Sequence, residues 1–455
     1  MRTIKKIKQF SNEVQLLLGK QDIAANTHYR KLTFCIVTRE DNEILVCNLL
    51  TRSWISVTEE ELEILENGFD SSEIDDVARE FIENWFMIPD DQNDLELCDE
   101  LRDFIKAMKP TAKKYTSYSI MTTLDCNARC FYCYQMDRNN SRSAMTAETA
   151  EAVVDFIKRT SASKKIAIQW YGGEPLYNDT VIDIISNGLL NDGYEIDSYM
   201  ISNGYLLTDD VVERALNTWN LKRIQITLDG SEKVYNKVKA YIYKDDPSPY
   251  QKVLSNIERA LKANIRILVR VNIDLHNLNQ LYELVSDIER FKDYKKFSIY
   301  ASVLYENSGP NNPNRDAQLR MSLVDSLIAF EEYCNEKGLK ITGRLDEKMA
   351  VHRCMADSDY TVTISPSGNL GKCDHMMSTD VFGSIFSDVV DNNMLSSWRE
   401  KLNKREDCMD CPVYTDCYRL KKCKDDGIAF CDPSYRKLKI HEIERKLHRE
   451  YLELK

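Results

Sequence analysis

The chain has 455 residues, 43% of them hydrophobic, enough for two or three domains with real cores. Its 61 basic against 73 acidic residues leave a net charge of -12, which argues against a nucleic-acid partner. The start, Met1-Arg2-Thr3-Ile4-Lys5-Lys6, is basic without an apolar segment or cleavage site behind it, and no apolar run is long enough to span a bilayer; the reading is a cytoplasmic chain with no membrane partner.

Residues 1–109 read as a small α+β unit. Alternating apolar residues predict strands at Leu32–Thr38 and Glu43–Leu49 joined by a turn at Glu40–Asn42, and helical spacing predicts Glu59–Asn67 and Ser72–Trp85. An accessory or dimerisation domain is one reading of this unit.

From 110 to 337 strand and helix signals alternate. Strands are predicted at Ser119–Leu124, Lys165–Tyr171, Tyr194–Ser202, Arg223–Leu228, Ile265–Ile273 and Phe297–Leu304. Helices are predicted at Thr146–Arg159, Asn178–Leu190, Asp209–Trp219, Tyr250–Ala263, Leu278–Phe291 and Asp316–Lys337. This βα alternation predicts an α/β fold with a parallel sheet and right-handed crossovers. A closed eight-stranded barrel takes about 250 residues, more than this span holds, so a partial, TIM-like (β/α)6 barrel fits better. Ligand contacts in such sheets come from loops at the carboxyl ends of the strands.

Those loops carry the chemistry. After the first strand, Cys126-Asn127-Ala128-Arg129-Cys130-Phe131-Tyr132-Cys133 has the spacing C-x3-C-x2-C. Three thiolates can hold three irons of a [4Fe-4S] cube and leave the fourth iron open to a small molecule; a structural zinc site or scattered core cysteines are the competing readings. After the second strand, Gly172-Gly173-Glu174-Pro175 lets backbone carbonyls approach a ligand and places an acceptor near a cation. After the third, Ser202-Asn203-Gly204 reads either as a ligand loop or as a turn before a helix that starts at Thr208. The fourth strand runs into Leu228-Asp229-Gly230, then Tyr235-Asn236-Lys237-Val238-Lys239, and the fifth carries Arg270 and Asn272.

This ordered set resembles the radical S-adenosylmethionine (SAM) superfamily. The resemblance implies that Cys126, Cys130 and Cys133 hold the SAM-binding [4Fe-4S] cluster, which in its reduced state cleaves SAM to a 5'-deoxyadenosyl radical. It makes Tyr132, Gly172, Gly173, Glu174 and Pro175 cofactor contacts, the last four through the motif that meets the SAM ammonium group, and Ser202 and Asn203 the ribose loop. Where peptide-maturing members place an arginine against the SAM carboxylate, this chain has Lys239, which keeps the charge but lacks the bidentate fork; Arg270 is the other candidate.

Of the fourteen cysteines, seven crowd the last quarter: Cys354, Cys373, Cys408, Cys411, Cys417, Cys423 and Cys431. Cys35, Cys47, Cys98 and Cys334 stand apart and read as small buried apolar residues. The spacing, C-x13-G-x4-C and then C-x2-C-x5-C-x5-C, resembles the SPASM extension of peptide-modifying radical SAM enzymes, with five residues before Cys423 where about three are usual. By that resemblance 338–432 holds two auxiliary [4Fe-4S] clusters, the outer on Cys408, Cys411, Cys417 and Cys431 and the inner on Cys354, Cys373 and Cys423. A cube takes four thiolates, so the inner set has an open iron or recruits Cys334. Asp374 matches a general base of anaerobic sulfatase-maturing enzymes; solvation or pairing with Lys372 are its other readings. Residues 433–455 read as a charged surface helix.

The same resemblance casts 1–109 as a winged-helix-like domain for the leader of a ribosomally made precursor peptide. The expected activity is abstraction of a peptide hydrogen and closure of an intramolecular crosslink, a cysteine thioether first. A flavodoxin or ferredoxin is the expected electron donor. Carbon–carbon or carbon–oxygen crosslinking, formylglycine formation in a sulfatase, and a non-enzymatic iron–sulfur electron carrier are the alternatives.

Overall fold

The computed structural model describes residues 5–8, 13–40, 42–108, 115–133, 135, 142–275, 277–304, 317–342, 349, 351, 354–376, 380–400, 406–417, 420–422 and 433–454. Cys423 and Cys431 lie outside them.

The N-terminal region builds two antiparallel sheets. Strands β1 (Lys5–Lys8), β2 (His28–Lys31), β3 (Cys35–Glu40), β4 (Glu43–Asn48), β5 (Ser53–Val57), β6 (Phe69–Asp70) and β7 (Met87–Pro89) assemble as β1-β5-β4-β3 and β6-β2-β7. The predicted hairpin is β3–β4, in register from Cys35 opposite Asn48 to Glu40 opposite Glu43; Asp41 of its turn lies outside the described residues. Helices α1 (Glu13–Leu18), α2 (Glu59–Asn67), α3 (Asp76–Glu83) and α4 (Asp94–Met108) complete the unit. α2 begins where predicted because Thr58 and Glu61 form a reciprocal capping box. The predicted Ser72–Trp85 helix is shorter, since Asp75 caps α3 by accepting from the Ala78 N–H.

Six parallel strands follow close to their predicted spans: β8 (Ser117–Thr123), β9 (Lys165–Gly172), β10 (Glu195–Ser202), β11 (Leu221–Thr227), β12 (Arg266–Ile273) and β13 (Phe297–Val303). They are joined through α5 (Ala147–Thr160), α6 (Asp179–Asn191), α7 (Asp209–Asn217), α8 (Glu232–Lys239), α9 (Pro249–Lys262) and α10 (Leu281–Ile288), and α11 (Ala317–Glu336) follows. α8 escapes the apolar pattern because the buried positions of this short helix are Tyr235 and a lysine, Lys239. Thr208 caps α7 by accepting from the Val211 N–H, so the segment after Ser202 does lead into a capped helix.

The strands lie side by side in chain order, and β14 (Thr361–Ile364), β15 (Asn369–Gly371) and β16 (Gly383–Ser384) extend the sheet beyond β8. β14 runs parallel to β8, Thr363 opposite Ser119, and β15 and β16 return antiparallel. α12 (Asn392–Ser397) and α13 (Pro433–Leu454) complete the described fold. Strands β9 to β13 each pack an apolar face into the core, as Ile166, Ile168 and Trp170 of β9 do. Their other face carries half-buried polar side chains, among them Gln169, Tyr199, Gln225, Arg270 and Tyr300. That period of two marks an inner face reserved for something other than packing.

A second apolar core joins the N-terminal sheets to the C-terminal segments, drawing in Cys408, Val413, Tyr414, Ile443, Leu447 and Tyr451. Among the described residues no helix is long and apolar enough to cross a membrane.

Candidate functional site

The three cysteines Cys126, Cys130 and Cys133 lie in the loop that leaves the carboxyl end of β8. The Cys126 N–H donates to the Asp125 carboxylate at 2.8 Å, and the Cys133 N–H to the Cys130 carbonyl at 3.1 Å, which coils the loop on itself. Two N–H groups face the Cys126 sulfur: the Ala128 amide at 3.3 Å and the Asn203 Nδ2 at 3.8 Å. Burial pushes the Cys126 thiol up to about 12, with Glu174 and the two neighbouring thiols adding to it. Burial also raises Cys130, opposed by Lys239. Thiols gathered close enough to repel one another as thiolates, ringed by N–H donors and one buried cation, form a donor set that fits a cluster; metal takes the place of their protons. Among the described residues no group of three or more His, Cys, Asp or Glu side chains is arranged to hold a single metal ion. A cube does not ask for that, because each of its thiolates meets a different iron.

The second loop is sewn to the first. A Cβ on Gly172 would lie 2.2 Å from the Thr123 carbonyl oxygen, and one on Gly173 would lie 2.1 Å from that of Asp125. The Gly173 and Glu174 amides donate to those same carbonyls at 2.8 and 3.0 Å. The close approach that requires glycine is therefore to the cysteine loop itself. Glu174 is fully buried and accepts from the Leu176 amide at 3.1 Å, the Ser202 hydroxyl at 2.8 Å and the Asn203 amide at 2.7 Å. Burial lifts it to about 7 against the pull of those donors. Pro175 begins the short helical turn that follows. Asn203 closes the circle, its Nδ2 donating to the Asn127 Oδ1 at 2.6 Å.

Lys239 is committed within the protein. Its Nζ lies 2.8 Å from the Asp229 carboxylate and donates to the Tyr132 hydroxyl at 2.8 Å, while Tyr132 donates to Asp229 at 2.9 Å. Burial works against the ammonium, but Asp229 and the surrounding phenols and thiol hold its pKa well above the ordinary lysine value. Its backbone carbonyl accepts from the Arg129 amide at 2.7 Å, tying α8 to the cysteine loop. Arg270, on β12, donates weakly to Ser302 at 3.4 Å, and its buried Nε has no hydrogen-bond partner among the described residues. Asp229, which the sequence placed at the end of the fourth strand without a further role, is the hub of this network; Asn272 donates to its other oxygen at 2.9 Å.

The C-terminal segment contributes Asp374, which accepts from Ser119 and Thr363 at 3.1 Å and from Gln169 at 3.3 Å. Burial raises its pKa, and those three donors oppose the rise. It sits on the inner face opposite the middle of β8, about 13 Å below that strand's carboxyl end at the usual rise per residue. Lys372 does not pair with it, donating instead to the Ser358 and Thr361 carbonyls. Cys354 and Cys373 gather around Ala356, Trp398 and Leu420. Cys408, Cys411 and Cys417 form a separate set, with Cys408 and Cys417 both raising the Cys411 thiol behind the larger effect of burial. Cys334 is elsewhere, fully buried on α11 in the core of the central sheet and its helices.

A groove of about 780 Å³ runs between the outer edge of β3 and helices α11 and α13, lined by Val37–Glu40, Glu331, Glu332, His441, Glu444 and His448. Among the described residues β3 pairs only with β4.

Residues 120–288 match the family model of the Radical SAM superfamily. The chain is 29% identical over 230 residues to the radical SAM cyclopropyl synthase TigE of Paramaledivibacter caminithermalis, covering 44% of this chain and 47% of that protein. It is 30% identical over 169 residues to the GTP 3',8-cyclase of Clostridium perfringens, covering 37% and 50%. The chain thus spans about half the length of these curated relatives. Its fold is like that of native anSMEcpe, solved with bound AdoMet (TM-score 0.56) and with AdoMet and the Cp18Cys peptide (TM-score 0.53), each at 15% identity and covering 74% of this chain and 99% of the other. The cysteine loop, the Gly172–Pro175 turn and the parallel sheet that presents them are parts of one unit: this chain carries a radical SAM domain.

Proposed function

We propose that the chain is a radical SAM enzyme that installs an intramolecular crosslink, a cysteine thioether first, in a ribosomally made precursor peptide. The observation that carries this reading is the junction of the Cys126–Cys133 loop with Gly173, Glu174 and Asn203 at the carboxyl ends of β8 to β10, above a polar inner face. When bound there, a [4Fe-4S] cluster and SAM supply the hydrogen-abstracting radical. The chain's own residues hold and orient. Cys126, Cys130 and Cys133 ligate the cluster, and Lys239 offsets their negative charge from its buried pair with Asp229. Arg270, with its unpartnered Nε, then takes the SAM carboxylate in place of Lys239. Glu174 acts through Ser202 and Asn203, fixing the loop for the ribose.

Cys354 and Cys373 are read as ligands of an inner auxiliary cluster with Cys423, and Cys408, Cys411 and Cys417 as ligands of an outer one with Cys431. Because Cys334 lies apart from Cys354 and Cys373, the inner set keeps one position for a peptide thiolate, which would hold the sulfur for thioether closure. In that closure one hydrogen atom would leave to the adenosyl radical, the thiol proton to a base and the second electron to an auxiliary cluster. Asp374, buried with three donors, is the base proposed on the inner face. The leader is read as an added strand on β3, where the groove gives it room. The bound peptide of anSMEcpe, a protein of like fold, supports a peptide substrate. A flavodoxin or ferredoxin would deliver the electron, and the cytoplasm is the proposed setting. Carbon–carbon closure is the second reading, favoured by the likeness to the cyclopropyl synthase.

The test is co-expression with each short peptide encoded beside the gene, followed by mass spectrometry with and without thiol alkylation. A peptide lighter by two hydrogens that has lost an alkylatable thiol supports the thioether. The same mass loss with every thiol still alkylated moves the assignment to a carbon–carbon bond. A sulfatase as the modified protein overturns the reading.

A further inference from the structure

We propose that α4 and the β4–β5 turn of the N-terminal region are positioning elements for the two C-terminal cysteine sets, so that this region is part of the metal-holding machinery. The proposal rests on the reading of those cysteines as cluster ligands.

Cys98, Arg102 and Lys106 recur every four residues and form one stripe of α4. Each meets a different C-terminal segment. The Cys98 thiol lies 3.6 Å from the Met349 sulfur. Arg102, 3% exposed, donates to the Tyr414 and Thr415 carbonyls at 3.0 and 2.6 Å, with its guanidinium over the Tyr414 ring. Lys106 meets the Asp357 carboxylate at 2.8 Å, and the Asp357 amide donates to the Cys354 carbonyl. One turn of helix, about 6 Å, thus separates the grip on the outer set from the grip on the inner one.

The outer grip is doubled. Arg52 is fully buried and forms a bidentate pair with Asp416 at 2.7 and 3.1 Å. It sits in the β4–β5 turn at φ 63°, a backbone conformation that L-residues avoid. Between Cys408 and Cys417 the chain makes three successive turns: the Cys411 amide donates to the Cys408 carbonyl, Tyr414 to Cys411, and Cys417 to Tyr414. Residues three apart in such turns stand on one side, which brings the cysteines together. The two arginines clamp the last of these turns from outside, and Phe34 stacks on its tyrosine. Local sequence does not supply this clamp, because its cations lie more than 300 residues away in the chain.

The full chain is reconstituted with iron and sulfide without oxygen, and iron, sulfide and electron paramagnetic resonance spectra are measured for wild type, Arg52→Met/Arg102→Met, Lys106→Met and the exposed control Arg79→Ala. Wild type and the control should hold about twelve irons per chain, and the double variant about eight, with the signal of one auxiliary cluster lost. Lys106→Met should alter the other auxiliary signal alone. A double variant of native circular dichroism with full iron and an unchanged spectrum overturns the proposal. Should the double variant not fold, Asp416→Asn is read in the same assay: partial loss of the same signal supports the clamp, and full retention overturns it. Wild type holding only about four irons would instead remove the reading on which the proposal rests.

Discussion

The Lys239 ammonium and the Asp229 carboxylate meet at 2.8 Å with side chains only 4% and 2% exposed. A buried ion pair adds little over an apolar pair of the same shape, but removing one partner strands the other charge. Lys239→Met should therefore destabilise the unloaded chain by about 3–5 kcal/mol in urea denaturation. Adding Asp229→Asn should recover a large part of that loss. A single variant within about 0.5 kcal/mol of wild type would show that the pair holds nothing.

Gly173 has no room for a side chain. Its Cβ would stand 2.1 Å from the Asp125 carbonyl oxygen, a backbone atom that cannot swing aside. Gly173→Ala should push the second loop away from the cysteine loop, costing about 2 kcal/mol or more. Iron retained after desalting should fall with it. Retention equal to wild type would mean that the two loops are not mechanically joined.

Burial lifts Glu174 to about 7 from an ordinary 4.5. Between those values the folded chain keeps a proton that the unfolded chain has lost, so unfolding free energy falls as pH rises through this window and levels above it. The full contribution is about 3 kcal/mol. Urea midpoints of the unloaded chain from pH 5 to 8 should show this decline, and Glu174→Gln should flatten it. The same slope in both proteins would assign it to other groups.

Cys334 is fully buried in the core of the central sheet and its helices, apart from the apolar cluster against which Cys354 and Cys373 pack. Cys334→Ala should leave iron content unchanged and cost about 1 kcal/mol through the small cavity it creates. Cys373→Ala should lose cluster iron. If Cys334→Ala loses iron as Cys373→Ala does, the inner set has no position left for a peptide thiol.

The repeated strands and helices of the central sheet were legible because their signal is local. Ile166, Ile168 and Trp170 alternate toward one face whatever else the chain does, and a capped helix such as α5 carries its own start at Thr146. The C-x3-C-x2-C loop was legible for the same reason, since its cysteines are neighbours in sequence. α8 was hidden by a lysine in a buried position, which the carboxylate of Asp229 and the Tyr132 hydroxyl make tolerable. Strands of two to four residues such as β6, β14, β15 and β16 have too few side chains to show a period, and gain their stability from the sheets they join. Tertiary structure alone decided what Glu174 and the adjacent glycines touch, that Lys239 is already paired, and that Arg52 and Arg102 reach the last cysteine segment. The contacts of Glu174 with Ser202 and Asn203 and those of the two arginines are buried and polar and span 28 to 364 residues, so their partners lie outside any local window. The Lys239–Asp229 pair, though only ten residues apart, forms because the turn between β11 and α8 folds one onto the other.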